Sequence, residues 1–108
     1  MSREYDLFIK DIKLSCEKII RYTQSMDLKT FSSNEIIYDA VIRNLEIIGE
    51  ASKNIPDHIR STYPQVEWRK ISGLRDILIH TNFSIDSAIL WDVITVKIPQ
   101  LLKELNNH

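Results

Sequence analysis

One short run of this chain combines side chains suited to work on a phosphodiester: Arg75-Asp76-Ile77-Leu78-Ile79-His80. Asp76 precedes His80 by four residues, so one turn of helix puts the two on the same face. A carboxylate there can accept from one imidazole nitrogen and fix the ring's tautomer, leaving the other nitrogen to move a proton. Arg75 adds a permanent positive charge on a planar fork that fits phosphate oxygens. RNA carries its own nucleophile, the ribose 2′-hydroxyl. A histidine to relay the proton and an arginine to offset charge on the phosphorane therefore suffice to cleave it without a metal. On spacing alone the same three residues also read as a surface ion-pair cluster near a helix end, where the helix dipole favours a histidine.

Other candidates are more diffuse. Arg43, Asn44, Glu46 and Glu50 fall within one helix, with Arg43 and Glu46, and Glu46 and Glu50, spaced to share a face. They can support a cleft or a dimer, or simply form a solvated face. Asn82 can hydrogen-bond RNA or orient His80, or serve as a turn residue. Trp68 and Trp91 read as core anchors rather than base-stacking platforms. His58 and His108 carry no assigned role. No His/Asp/Glu set has metal-ligand spacing and no glycine-rich loop is present to cradle phosphates, so neither a metal nor a nucleotide cofactor is expected. Cys16 is the single cysteine. It reads as a small buried hydrophobe and excludes an intramolecular disulfide.

These residues need a scaffold, and the composition points to helices. The chain has 108 residues, the size of one domain spanning 1–108, with ordinary globular proportions of 44% hydrophobic and 27% charged residues. Two glycines and three prolines leave few breakers. The start is charged, and no apolar run approaches a membrane span, so a cytoplasmic location is expected. The net charge of −1 argues against a general DNA-coating protein. The segment 53–80 is mildly basic, with Lys53, Arg60, Arg69, Lys70 and Arg75 against Asp57, Glu67 and Asp76. That hints at a phosphate-bearing partner.

Apolar spacing predicts a first helix over about Tyr5–Ser25, with Leu7, Ile9, Ile12, Cys16, Ile19, Ile20 and Tyr22 as its stripe. Asp27–Ser33 reads as a connection. A second helix follows over about Asn34–Lys53, started by a capping box of Ser32 and Glu35, with Tyr38, Val41, Ile42, Leu45 and Ile48 inward. Gly49 suggests a close helix approach. A short helical turn is predicted over about Pro56–Ser61. The third helix runs from about Trp68 to His80, with Trp68, Ile71, Leu74, Leu78 and Ile77 facing the core. The fourth runs from about Ile85 to Leu105 after an N-cap at Ser84, with Ala88, Trp91, Ile94, Val96, Ile98, Leu101, Leu102 and Leu105 as contacts. Pro99 is expected to kink or divide it. The result is an all-α, antiparallel four-helix bundle with a short extra helical turn.

Arg75-x4-His80 matches the arginine, four to six residues, histidine signature of HEPN domains, and its surroundings are more specific. Arg43-Asn44-Leu45-Glu46-Ile47-Ile48-Gly49-Glu50-Ala51, Ile55-Pro56, Trp68-Arg69-Lys70-Ile71-Ser72-Gly73-Leu74-Arg75-Asp76, Phe83-Ser84-Ile85-Asp86 and Trp91 together resemble the HepT-like branch over nearly the whole chain. The resemblance implies a HEPN bundle that forms a homodimer. It implies an RNA-cleaving cleft made from Arg75 and His80 of both protomers. It further implies a toxin paired with an MntA-like nucleotidyltransferase antitoxin that transfers AMP to a tyrosine two positions after the histidine. Here that position is Asn82, which has no phenolic oxygen. Silencing by AMP transfer is then lost, moved elsewhere, or replaced by simple binding. Tyr63 is the nearest other tyrosine in sequence, and nothing marks it as a target.

Two further readings stand beside the ribonuclease. A HEPN bundle could be a non-catalytic module that partners a nucleotidyltransferase subunit. It could also be a structural dimer, since Ile36, Ile37, Ile47, Ile77 and Ile79 exceed one inward stripe per helix and suggest self-association.

Overall fold

The computed structural model describes residues 4–74, 76, 78 and 87–107. Among them the protein is all-helical. In chain order these are α1 (Glu4–Thr23), α2 (Leu28–Ser33), α3 (Glu35–Lys53), α4 (Asp57–Arg60), α5 (Trp68–Ser72), α6 (Ser87–Asp92), a π-helical turn (Val93–Lys97) and α7 (Ile98–Asn106). None of the described helices is long and apolar enough to cross a membrane.

The core is built from helical spacing. Ile9, Ile12, Cys16 and Ile19 of α1 face Val41, Leu45, Ile48 and Ala51 of α3, and α1 also packs on α7, which contributes Ile98, Leu101 and Leu105. Leu90 and Ile94 extend this interior toward α2. At roughly 1.5–3 kcal/mol for each fully buried aliphatic side chain, this apolar interior is the main stabilising feature of the scaffold.

Among the described residues, three expected core positions are exposed. Leu7 and Val96 are about half exposed, and Ala88 is exposed. Each stands two residues from a buried position: Ile9, Ile94 and Ile98, or Leu90. Two residues is 200° around a helix, so such a neighbour faces the opposite side. Leu90, left out of the expected stripe, is fully buried for the same reason.

The stretch expected as a connection contains a helix instead. Asp27 caps α2: its carboxylate accepts from Thr30 N at 2.8 Å, and Thr30 Oγ1 accepts from Asp27 N at 3.0 Å. This reciprocal box fixes the first turn. It places Phe31 in the core, with its ring 5.2 Å from that of half-buried Trp91 and 5.6 Å from that of Tyr38. The Ser32–Glu35 box does not form. Asn34 is the N-cap of α3 and accepts from Ile37 N at 3.0 Å.

The short turn after Pro56 is present as α4. The long third helix is interrupted: α5 ends at Ser72, Gly73 forms its C-cap, and helical backbone returns at Leu74, Asp76 and Leu78. Ser84 and Ile85, the expected start of the fourth helix, lie outside the described residues. Further on, Pro99 divides that helix without stopping it. It occupies the first turn of α7, where a missing N–H costs nothing, and the backbone ahead of it widens into the π-helical turn. From that turn Thr95 Oγ1 donates back to Trp91 O of α6 at 2.8 Å.

Candidate active site

Arg75, His80 and Asn82 lie outside the described residues, as does Ile77. Asp76 is helical and exposed, and Leu78 is helical and packed against the core. What the structure describes is the frame that leads into this run.

That frame is a polar corner where the end of α3, α4 and α5 meet. Arg60 is its hub. Its Nε donates to Ile55 O at 3.0 Å, and its Nη2 donates to Ser52 O at 2.8 Å and to Ser72 Oγ at 3.2 Å. The guanidinium also lies over the Trp68 ring, 5.7 Å from the centroid, while Trp68 Nε1 donates to Arg60 O at 3.2 Å. Ser52 Oγ donates to Gly49 O at 2.8 Å and lies 3.0 Å from Ser72 Oγ. A hydroxyl has one proton. Since that of Ser52 goes to Gly49 O, Ser72 must donate to Ser52. The direction is then fixed throughout: Arg60 N–H to Ser72 Oγ, Ser72 O–H to Ser52 Oγ, Ser52 O–H to Gly49 O.

The surrounding side chains close the corner. Trp68 is buried, and Tyr63 meets it edge to face with centroids 6.0 Å apart. Burial, with Asp6 as a lesser cause, pushes the Tyr63 phenol above its ordinary value. Lys70 pairs with Glu67 across one turn at 2.8 Å on the surface, and this holds the Glu67 carboxyl below its ordinary value. Arg60 therefore leaves the basic surface counted from the sequence, because its charge is directed at buried carbonyls. Lys53, Arg69 and Lys70 remain exposed.

The second set of candidates splits. Arg43, Glu46 and Glu50 are on the exposed face of α3, whereas Asn44 is 6% exposed and packs inward. Asn44 Nδ2 donates to Ala40 O at 2.8 Å, and Oδ1 accepts nothing among the described residues. His58 is exposed on α4, edge to face with Tyr5 with ring centroids 6.3 Å apart. No group of three potential metal ligands occurs among the described residues. A groove of about 240 Å³ beside α5 has an apolar floor of Ile71, Leu74, Val93, Ile98 and Leu101, and its charged lining residues are Glu67, Lys70, Lys97 and Glu104, with no histidine among them.

Arg60, Ser52 and Ser72 were not legible as a unit. They are eight to twenty residues apart, and no periodicity joins them. The only trace in the sequence is an arginine inside an otherwise short, half-buried turn.

An all-helical frame, with an arginine-to-histidine run following a buried tryptophan, defines a class of small helical proteins, and the comparisons with known proteins narrow it. The family described as "Ribonuclease HepT-like" matches residues 12–107. The Methanocaldococcus jannaschii protein named "Putative RNase MJ1380" is 42% identical over 103 residues, covering 95% of this chain and 94% of its own. The Thermococcus cleftensis protein named "Probable ribonuclease HepT" is 39% identical over 101 residues, covering 94% and 92%. A Caldanaerobacter subterraneus protein named "Putative RNase TTE0752" is 36% identical over 98 residues, covering 91% and 88%. No solved structure gives a significant match. The chain belongs to the HepT-like ribonuclease family.

Proposed function

We propose that this protein is a metal-independent RNA endonuclease, one HEPN domain over 1–108, that acts as the toxin of a toxin–antitoxin pair. Its cleavage groups are Arg75 and His80, assembled from both protomers of a homodimer. The observation that carries the reading is the match of residues 12–107 to a ribonuclease family, a span that contains the whole Arg75–His80 run. The proposed chemistry balances without a cofactor. His80 of one protomer takes the proton of the 2′-hydroxyl, whose oxygen attacks phosphorus. Arg75 offsets charge on the phosphorane, and the second His80 protonates the departing 5′-oxygen. The products are a 2′,3′-cyclic phosphate and a 5′-hydroxyl. Asp76, Asn82, Arg43 and Glu46 are assigned supporting or RNA-binding roles.

The test is cleavage of RNA by purified protein in the presence of a chelator. Wild type cuts. Arg75→Ala and His80→Ala lose about two to four orders of magnitude in rate with unchanged helical content. RNA left whole by wild type, or cut equally well by His80→Ala, overturns the proposal. Leu7, Leu14, Ile36, Ile89 and Val96 are exposed apolar side chains available to a second copy; light scattering that finds a monomer at micromolar concentration removes the composite cleft.

Asn82 favours a second reading, a non-catalytic module partnering an MntA-like nucleotidyltransferase, because the usual acceptor of AMP is missing. Expression without that partner separates the two. Growth arrest relieved by His80→Ala supports the toxin, and co-purification with the nucleotidyltransferase without toxicity supports the module.

A further inference from the structure

We propose that Arg60 is a positioning residue for RNA cleavage, acting through Ser72 to fix where the segment carrying Arg75 and His80 leaves α5. The inference rests on the ribonuclease reading above.

Part of what Arg60 does is ordinary capping. The last carbonyls of a helix lack partners, and a cation at that end is favoured by the dipole. The bond to Ser52 O serves this end of α3, beside the one that carbonyl takes from Ile55 N, and the bond to Ile55 O secures the segment just after the helix. Capping does not account for the rest. The guanidinium reaches twelve residues along the chain to Ser72 Oγ and lies over Trp68, so it holds both ends of α5. It also sets the direction of the hydroxyl chain through Ser72 and Ser52 to Gly49 O.

The arrangement leaves Ser72 little freedom. Its oxygen receives from Arg60 and its proton goes to Ser52, whose side chain is fully buried. Such chains strengthen each bond by polarising the next. Only Gly73 and Leu74 separate Ser72 from Arg75. With so few residues between them, a displacement of Ser72 shifts the start of the segment that carries Arg75, and misplacing a catalytic group by about 1 Å can cost on the order of a hundredfold in rate. Lysine cannot replace Arg60, because its donors sit on one compact nitrogen, whereas the guanidinium spreads its bonds over Nε and Nη2 while its plane lies over the Trp68 ring.

The experiment measures kcat and KM for a defined RNA oligonucleotide with the full chain, well below each variant's own melting temperature. The variants are Arg60→Met, Arg60→Lys, Ser72→Ala and the double variant Arg60→Met/Ser72→Ala. Methionine keeps an apolar stem against Trp68 while deleting the hydrogen bonds. Arg60→Met is expected to lower kcat about ten- to a hundredfold with KM within about twofold. Ser72→Ala is expected to lower it about three- to tenfold. The double variant should fall no further than Arg60→Met, because both act through one chain. If Arg60→Met does not fold, Ser72→Ala carries the test. A wild type that cuts RNA beside a folded Arg60→Met or Ser72→Ala of wild-type kcat overturns this inference alone. A wild type that leaves RNA whole overturns the ribonuclease reading on which it stands.

Discussion

The α1–α3–α7 interior and the α3–α4–α5 corner are neighbours held by different forces. The interior is apolar, with Ile12, Cys16, Ile19, Val41 and Ile48 at zero exposure, and its stability scales with area removed from water. The corner holds two hydroxyls, a guanidinium and an indole N–H, each aimed at a named acceptor. Non-directional burial fixes which helices meet. Directional bonds fix how the chain leaves α5. Substitutions in the interior should therefore cost stability, and substitutions in the corner should cost rate out of proportion to stability.

The comparison breaks most visibly at Phe31. Phe31→Ala should destabilise the protein by about 3–5 kcal/mol in chemical denaturation. The rate per folded molecule, measured well below the melting temperature, should stay near wild type. A large drop in that rate would erase the distinction between the regions.

Cys16 tests the interior from within. Desolvation, with a smaller contribution from Glu17, raises its thiol to about 12. At pH 8 this leaves about a thousandfold less thiolate than an ordinary cysteine, and the thiolate is the reactive form. A thiol reagent should leave native protein unlabelled and label it promptly in denaturant; prompt native labelling means the core opens more readily than its packing indicates.

Ser52→Ala addresses the corner. It removes the acceptor for Ser72 and the donor to Gly49 O at a fully buried site, so about 1–2 kcal/mol should be lost. If stability is unchanged, the hydroxyl chain is not a structural link. The smallest effect belongs to the edge of the fold. Hydrogen bonds from Thr30 N and then Thr30 Oγ1 hold the Asp27 carboxyl below its ordinary value. Its contribution is therefore fully present above the ordinary aspartate range and is lost as pH falls through the lower folded value. Asp27→Asn retains a capping acceptor that does not titrate. The melting-temperature advantage of wild type over this variant should shrink on acidification, and a constant difference contradicts the assignment.

The interior was largely readable from the sequence because helical spacing encodes it. Ile9, Ile12, Cys16 and Ile19, or Val41, Leu45 and Ile48, announce a face by themselves. Leu7, Ala88 and Val96 misled where hydrophobicity was weighed without angle. α2 was missed although Asp27 and Thr30 spell its capping box, because six residues are too few for periodicity to show. Asn44 was grouped with Arg43 and Glu46 by adjacency, yet one residue is 100° of helix, enough to turn it from solvent to core. The Arg60 corner had no comparable signal: a hydrogen bond between elements depends on their placement, which local pattern does not contain. The Arg75–His80 run stood out for the opposite reason, since the chemistry proposed for it depends on residue type, which the sequence displays directly.

The corner and the interior also differ in when they can exist. Ser52, Arg60, Trp68 and Ser72 lie within about twenty residues, so their loops close at small entropic cost. The interior joins Ile9 and Ile12 to a helix that begins at Ile98. During synthesis the corner can assemble on α3 soon after Ser72 emerges, while α7, one wall of the α1 interior, has still to dock. Contacts this distant in sequence form late. A nascent chain would thus carry a pre-shaped exit from α5 on an incomplete bundle, and residues 98–106 would complete the scaffold that holds it.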